Sequence, residues 1–263
     1  MATGLLWAAA AAAVIYGVLA FFAGQVSDRM LFLPPPASYP VGPDLVWIPA
    51  GDGPRLAARW LPYPGARYTL IFCHGNATDL GEIEPRLVEL RDRLGVSVLA
   101  WDYPGYGRTG GRPGEPATLR GARAVAAYAV DVLGVPADRL VPYGHSLGGG
   151  AAVEIAAGRP CAGLILQSAF TSAFRVRLSV NPFPFDKFDN LAKLRRVRCP
   201  VLVIHGTADP LIPFAHGERL VAAAPGRPAH LWVQGAGHND LIETAGEAYW
   251  QALQEFLAGL DGA

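Results

Sequence analysis

The 263-residue sequence is poor in cysteine and has no excess of charge of either sign. Its three cysteines, Cys73, Cys161 and Cys199, lie far apart in or beside apolar runs, which excludes disulfide and metal-site spacings and predicts small buried side chains. Its 22 basic residues balance 22 acidic residues, whereas binding to a phosphate backbone needs a basic surplus. We therefore expect no metal, no cofactor and no nucleic-acid partner.

Charged residues make up only 17% of the chain and hydrophobic residues 51%, a balance that excludes intrinsic disorder. The largest apolar block is at the N-terminus, where residues 4–24 carry no charge. A helix of that length, at about 1.5 Å per residue, reaches across a bilayer core of roughly 30 Å. The sequence predicts an N-terminal, single-pass transmembrane anchor over residues 1–26 and membrane association through it.

A cleaved signal peptide is the main alternative, since Val18-Leu19-Ala20 resembles a cleavage site and cleavage would release a secreted protein. A buried or interfacial helix is the other alternative. The lack of a basic residue before the apolar block favours the anchor. Arg29 alone does not define which side of the membrane the chain faces. Residues 27–40 are predicted to form a proline-rich tether and residues 41–263 one catalytic domain. Because no candidate catalytic residue precedes residue 27, we expect that domain to act without the anchor.

From residue 41 onward, short apolar runs typical of strands alternate with amphipathic stretches typical of helices. The strand-like runs cover residues 45–48, 56–61, 69–73, 96–101, 140–143, 163–167, 201–204 and 230–233, and helical patterns cover 83–94, 119–133 and 147–157. This alternation predicts an α/β fold with a mostly parallel, eight-stranded sheet and helices on both faces. The turn Gly51-Asp52-Gly53 predicts an antiparallel pair at the leading edge.

The sequence Gly-His-Ser-Leu-Gly at residues 144–148 follows an apolar run and opens a helix of small residues. This context is typical of a nucleophile elbow, a sharp turn that exposes a serine hydroxyl above the sheet. Glycines two residues either side of the serine let strand and helix pack closely. We expect Ser146 to be a nucleophile, with an ordinary strand–helix turn as the alternative.

A serine nucleophile needs a base, and the base needs an acid that orients it. Of the six histidines, His238 lies in a glycine-rich loop directly after the last strand, and Asp209 follows the strand run at 201–204. The resulting order is Ser, Asp, His, which is the order typical of enzymes with a nucleophile elbow. Taken singly, Asp209 as a helix cap and His238 as a plain loop residue are alternatives. Asp240 and Glu243 read as a capping box, so we expect Asp209 to be the acid.

The tetrahedral intermediate of such a reaction requires hydrogen-bond donors for its oxyanion. We expect one donor to be the backbone N–H of Leu147, the residue after the nucleophile. The second is expected from the loop at residues 74–77, where Gly75 permits a close backbone approach and leaves the N–H of Asn76 as the donor. A plain strand-to-helix turn is the alternative for that loop.

These motifs resemble the α/β-hydrolase superfamily, in the branch of membrane-associated α/β-hydrolase-domain proteins that includes eukaryotic depalmitoylases and many bacterial anchored hydrolases. The resemblance extends from residue 68 to the C-terminus and rests on residues 72–81, 102–107, 144–148, 205–209 and 235–240. It implies a triad of Ser146, Asp209 and His238, and a loop at 102–107 packed near the site. With the richness in Ala, Gly and Arg, which indicates GC-rich coding, it also implies a bacterial source. Depalmitoylases attach through acylated N-terminal cysteines, whereas this chain has no cysteine before Cys73.

Residues 169–199 occupy the place where such enzymes insert a lid, and residues 189–196 are expected to be helical. Its aromatic rings and prolines either seal the core or line an acyl pocket: Phe170, Phe174, Pro182, Phe183, Pro184, Phe185 and Phe188. The sequence thus predicts a membrane-anchored serine hydrolase that cleaves carboxylic esters or thioesters of small-molecule or lipid-like acyl groups through an acyl-enzyme. A peptidase or amidase on the same fold is one alternative, and a catalytically idle membrane-bound binding module is another.

Overall fold

A computed structural model describes residues 2–178, 181, 183 and 185–260. Within this part of the chain, eight strands form one sheet: β1 (Leu45–Ile48), β2 (Leu56–Leu61), β3 (Thr69–Cys73), β4 (Ser97–Trp101), β5 (Leu140–His145), β6 (Leu164–Gln167), β7 (Val201–Gly206) and β8 (Ala229–Val233). Their order across the sheet is β1-β2-β4-β3-β5-β6-β7-β8. Strand β2 pairs antiparallel with β1 and β4, and the other neighbours pair in parallel. The predicted α/β-hydrolase fold and its antiparallel leading edge are confirmed.

Helices cover both faces of this sheet. Those after the N-terminal helix are α2 (Leu80–Leu94), α3 (Glu115–Asp131), α4 (Gly148–Gly158), α5 (Asn190–Leu194), α6 (Ala215–Ala223), α7 (Leu241–Ala245) and α8 (Glu247–Gly259). Helix α2 begins before the predicted residue 83, because the Asp79 side chain accepts hydrogen bonds from the N–H groups of Gly81 and Glu82 and caps the helix there. Helix α5 is shorter than the predicted 189–196.

The core lies in two layers, one on each side of the sheet. Strands β3 and β4 are buried along their whole length, which explains why their sequences are continuous apolar runs. Cys73 and Cys199 are buried and Cys161 is half-buried, and all three thiols are free. Burial raises the pKa of Cys73 to about 12, so this thiol is an unreactive packing residue as expected.

The N-terminal helix, α1 (Ala2–Leu31), projects its first part away from the domain. Its segment Thr3–Gly24 is long and apolar enough to cross a membrane, judged by length and composition. Helix α1 continues past the predicted anchor boundary, so residues 27–31 are helical and not part of an extended tether. The reason is that this end docks: the Asn76 Nδ2 donates to the Leu31 carbonyl at 2.7 Å, and Lys187 pairs with Asp28 at 3.1 Å.

The segment between β6 and β7 is mostly irregular where it is described, apart from a short 3₁₀ turn at Phe174–Val176 and α5. Phe188 is fully buried and packs against Phe170 and against Phe32, the residue after α1. Pro182 and Pro184, two of the residues predicted for the lid, lie outside the described residues. This segment therefore covers the carboxyl ends of the central strands and touches α1.

Candidate active site

Ser146 occupies a sharp turn between β5 and α4. It has a positive φ of 52°, a strained conformation for a residue with a side chain. Glycine is required on both sides: a Cβ at Gly148 would lie 2.0 Å from the carbonyl oxygen of Cys73, and one at Gly144 would lie 2.5 Å from the Cα of Gly149. The turn has the geometry of a nucleophile elbow.

The structure brings Ser146, His238 and Asp209 together from the ends of three different strands. The Oγ of Ser146 lies 3.0 Å from the Nε2 of His238, and the Nδ1 of His238 lies 2.7 Å from the Oδ2 of Asp209. A neutral imidazole with its proton on Nδ1 donates to Asp209 and leaves Nε2 free to accept from the serine hydroxyl. Asp209 and His238 are both buried, so these contacts are shielded from water.

The second oxygen of Asp209 is also engaged, and this fixes the orientation of the carboxylate. Its Oδ1 accepts the backbone N–H groups of Leu211 and Ile212, each at 2.8 Å. Burial on its own would raise the pKa of Asp209, but the hydrogen bonds from His238 and from these amides hold it below its usual range. Asp209 is therefore an anion at neutral pH, oriented by the turn that follows β7.

Asp240 stands at the N-cap of α7, as predicted, but the predicted capping box is wrong. Its side chain makes no capping hydrogen bond to α7. Its Oδ1 instead accepts the N–H of Gly237 at 2.7 Å. The backbone of Asp240, with φ of −104° and ψ of 12°, is not in the extended conformation that aims a cap side chain at its own helix. Asp240 thus braces the loop that carries His238.

His145 is a site residue that the sequence analysis did not single out. Its ring stacks on the ring of His238, with centroids 5.6 Å apart and planes 30° apart. Burial, reinforced by the neighbouring His238, lowers the pKa of His145 to about 3, so the ring is neutral at physiological pH. An uncharged ring at this place restrains the plane of His238 without competing for its proton. Its position one residue before Ser146 was the available signal.

The loop after β3 lies directly beside the serine. A Cβ on Gly75 would lie 2.9 Å from the Nδ1 of His145, so glycine is what allows this backbone approach. In the described part of the chain, the N–H groups of Asn76 and Leu147 donate to no protein atom. Both residues line the cavity that contains Ser146. The loop at 102–107 packs beneath, where the hydroxyl of Tyr106 donates to the Asn76 Oδ1 at 2.5 Å.

A cavity of about 950 Å³ opens over the serine, and most of its lining is apolar. Its wall includes three of the predicted lid rings, Phe170, Phe174 and Phe183, whereas Phe188 is sealed in the core. The described rings are therefore divided between the cavity wall and the core. Helix α1 and the residues after it also contribute to the wall, which was not expected: Ala23, Val26, Ser27, Met30, Leu31 and Leu33. Their spacing of three and four residues is typical of one helix face and was the signal in the sequence.

Comparisons with protein families match two models to consecutive parts of the chain. Residues 64–184 match the family described as serine aminopeptidase, S33, and residues 182–261 match the family described as TAP-like protein. Together these segments contain Ser146, Asp209 and His238.

Two animal proteins are similar along most of the chain. The alpha/beta hydrolase domain-containing protein aho-3 of Caenorhabditis elegans is 37% identical over 77% of this chain and 61% of its own length. The alpha/beta hydrolase domain-containing protein 17B of Homo sapiens is 36% identical over 78% of this chain and 72% of its own length. The chain thus spans less than two thirds of the nematode relative. Because both relatives are animal proteins, the expected bacterial source stays a prediction.

Solved structures share the fold at lower sequence identity. An esterase of Pyrococcus furiosus superposes with a TM-score of 0.68 and 22% identity, covering 86% of this chain and 98% of the esterase. A monoacylglycerol lipase of Paleococcus ferrophilus gives a TM-score of 0.61 and 22% identity, covering 78% of this chain and 99% of the lipase. At these identities the likeness establishes the architecture alone.

Proposed function

The chain belongs to the alpha/beta hydrolase domain-containing family, in the depalmitoylase-like branch of the α/β-hydrolase superfamily, and on that premise we propose that it is a membrane-anchored serine hydrolase of carboxylic esters or thioesters. The observation that carries the proposal is the continuous line of hydrogen-bond contacts from Ser146 through His238 to Asp209. The exposed apolar segment Thr3–Gly24 supports attachment to a membrane through α1.

In the acylation step, the Oγ of Ser146 attacks the substrate carbonyl while the Nε2 of His238 takes the hydroxyl proton. The imidazolium that forms is stabilised by the Asp209 carboxylate, which accepts the hydrogen bond from the Nδ1–H of His238. The same Nε2 then gives its proton to the departing alcohol or thiol, and the acyl group remains on Ser146. His145 stays neutral beside the imidazolium and therefore adds no like charge.

The oxyanion that develops on the carbonyl is to be held by the N–H groups of Leu147 and Asn76. Both groups are free of protein acceptors among the described residues, so no hydrogen bond within the protein has to break for them to donate to the oxyanion. Deacylation repeats the sequence with water, which His238 deprotonates as it attacks the acyl-enzyme. The acid product is released and the free serine is restored.

A peptidase acting at a free amino terminus is the competing function, since one matching family is described as a serine aminopeptidase. Such an enzyme must hold the substrate's ammonium group, and a desolvated ammonium needs an acidic partner. Among the described residues that line the cavity over Ser146 there is no Asp or Glu, and the one charged side chain is the cation Arg177. This lining favours an acyl ester or thioester over a charged peptide end.

The test is labelling by a fluorophosphonate probe together with turnover of p-nitrophenyl esters. Ser146→Ala should abolish labelling and lower turnover by about 10³-fold or more while the protein stays folded. Ser168→Ala is the matched control, because Ser168 also has a positive φ and its buried Oγ has no partner among the described residues. Turnover of Ser146→Ala within about tenfold of wild type would remove Ser146 as the nucleophile. Release of amino acids from peptide amides, without ester turnover, would establish the peptidase instead.

A further inference from the structure

Helix α1 forms part of the wall of the cavity over Ser146. Ala23, Val26 and Met30 lie on one face of the helix and line the cavity together with the lid rings Phe174 and Phe183. The predicted division into an anchor and a separate catalytic domain does not anticipate this, because these residues come from the end of the apolar segment Thr3–Gly24 and the turns after it.

The wall is held firmly in place by contacts on three sides. A Cβ on Gly24 would lie 3.6 Å from the ring of Phe185, so the helix backbone rests directly against the lid. Asp28 pairs with Lys187 of the lid at 3.1 Å, and this lysine is largely buried. Asn76 ties the helix end to the loop beside the serine through the carbonyl of Leu31 and the N–H of Leu33.

The mouth of the cavity is an exposed apolar surface that continues the apolar face of α1. Eight large apolar side chains that follow Gly24 in the described part of the chain are exposed, and five of them line this cavity: Val26, Met30, Leu33, Leu178 and Leu211. Clustered exposed apolar side chains mark a binding surface, whereas scattered ones do not. An apolar chain is the ligand that fits such a lining.

We propose that Ala23, Val26 and Met30 are specificity-determining residues, which form one wall of an acyl pocket and set the length of the acyl chain that reaches Ser146. This inference rests on the proposed ester or thioester hydrolysis. A short acyl group occupies the space next to the serine and leaves the α1 wall untouched. A long acyl chain must extend along this wall, so a change in the wall affects long chains selectively.

The experiment compares kcat/KM for p-nitrophenyl acetate and p-nitrophenyl laurate, with full-length protein in detergent micelles. Ala23→Trp should lower kcat/KM for laurate by about tenfold or more and change that for acetate by less than about twofold. Ala13→Trp is the matched control, since Ala13 is exposed on the same helix and lies about 15 Å further along its axis. We expect it to change neither substrate.

Met30→Glu is the second variant, and it tests the same wall of the cavity if Ala23→Trp does not fold. Met30 is 78% exposed, so a charge there leaves folding intact but lies in the path of a long chain. It should also lower laurate turnover selectively, while Val41→Glu, an exposed apolar position away from the cavity, should not.

The outcomes separate the two levels of the argument. A wild-type protein that cleaves neither ester and is not labelled at Ser146 refutes the proposed function. If wild type cleaves acetate but not laurate, the proposed role of the α1 wall is refuted while the proposed hydrolase function is not. The same conclusion follows if the wall variants lose activity on both esters equally or on neither. A selective loss of laurate in Met30→Glu, absent in the two controls, supports the wall.

Discussion

Replacing Asp209 with asparagine is the most specific test of the proposed triad, because the structure fixes how the new amide group must be oriented. The Oδ1 of Asp209 accepts two backbone N–H groups, from Leu211 and Ile212. In Asp209→Asn the amide oxygen must keep that place, since an NH₂ group there would face two donors. The NH₂ group then points at the Nδ1 of His238, where Oδ2 accepted before.

The consequence is a change of tautomer in His238. With a donor facing it, Nδ1 becomes the acceptor and the imidazole proton moves to Nε2, which then cannot accept from the hydroxyl of Ser146. In the serine-protease triad that serves as template, this substitution lowers kcat by about 10⁴-fold with the geometry intact. We expect a loss of about 10³- to 10⁴-fold in kcat for p-nitrophenyl acetate here, with a melting temperature close to that of wild type.

Asp240→Ala is the matched variant. Asp240 is an acidic residue two positions from His238 that holds the loop but does not touch the imidazole. It removes the hydrogen bond from Gly237, which is worth about 1 kcal/mol, and should cost less than about tenfold in kcat. Steady-state kinetics and thermal melting of both variants decide the matter. If Asp209→Asn stays within about tenfold of wild type while Asp240→Ala loses several orders of magnitude, the acid is Asp240 and the reasoning is refuted.

Three further predictions concern the anchor, the elbow and pH. Removing residues 1–18 should let the protein leave the detergent phase and still cleave p-nitrophenyl acetate. Removing 1–33 should abolish that activity, because it removes the partners that hold the Asn76 side chain, and with it the loop beside Ser146. Gly148→Ala should prevent folding, as followed by soluble yield, while Gly158→Ala on the same helix meets no atom within 4 Å and should be neutral. Burial lowers the pKa of His205 and His216, so on acidification the unfolded chain takes up protons before the folded one does. The free energy of unfolding should therefore decrease as the pH is lowered from ~6.5, by up to about 1.4 kcal/mol per pH unit per histidine. Urea unfolding at pH 7.5 and 5.5 measures this fall, and His216→Asn, whose Oδ1 replaces the acceptor for Thr171, should reduce it.

The strands of this fold were predictable because each of them contains a short run of apolar residues in the sequence. β1, β2 and β3 begin and end at the predicted residues, and the other strands differ by one or two residues at an end. Helix starts were less predictable from apolar periodicity, since they depend on single residues outside the pattern. Asp79 caps α2. Helix α3 begins at Glu115, with Pro116 in its first turn, four residues before the apolar periodicity of that helix begins.

The sheet topology made it predictable that the three triad candidates lie close together. Ser146, Asp209 and His238 each follow a strand in a parallel sheet, and such positions meet at one edge by construction. The stacking of His145 and the bond from Gly237 to Asp240 depend on side-chain and backbone angles that no spacing rule contains. Their roles in catalysis, like those of Leu147 and Asn76, stay predictions until the variants are measured.

The spacing of the apolar residues predicts one apolar face at the end of α1, but it does not predict which surface that face packs against. What fixes the end are contacts between residues far apart in sequence, above all those of Asn76. Its side chain holds the Leu31 carbonyl and the Leu33 N–H, and its backbone N–H is the proposed second oxyanion donor. The residue that joins the helix to the domain therefore also carries the proposed donor. Because Ala23 and Val26 also line the cavity over Ser146, we propose a boundary between anchor and catalytic domain before Ala23 and not after residue 26.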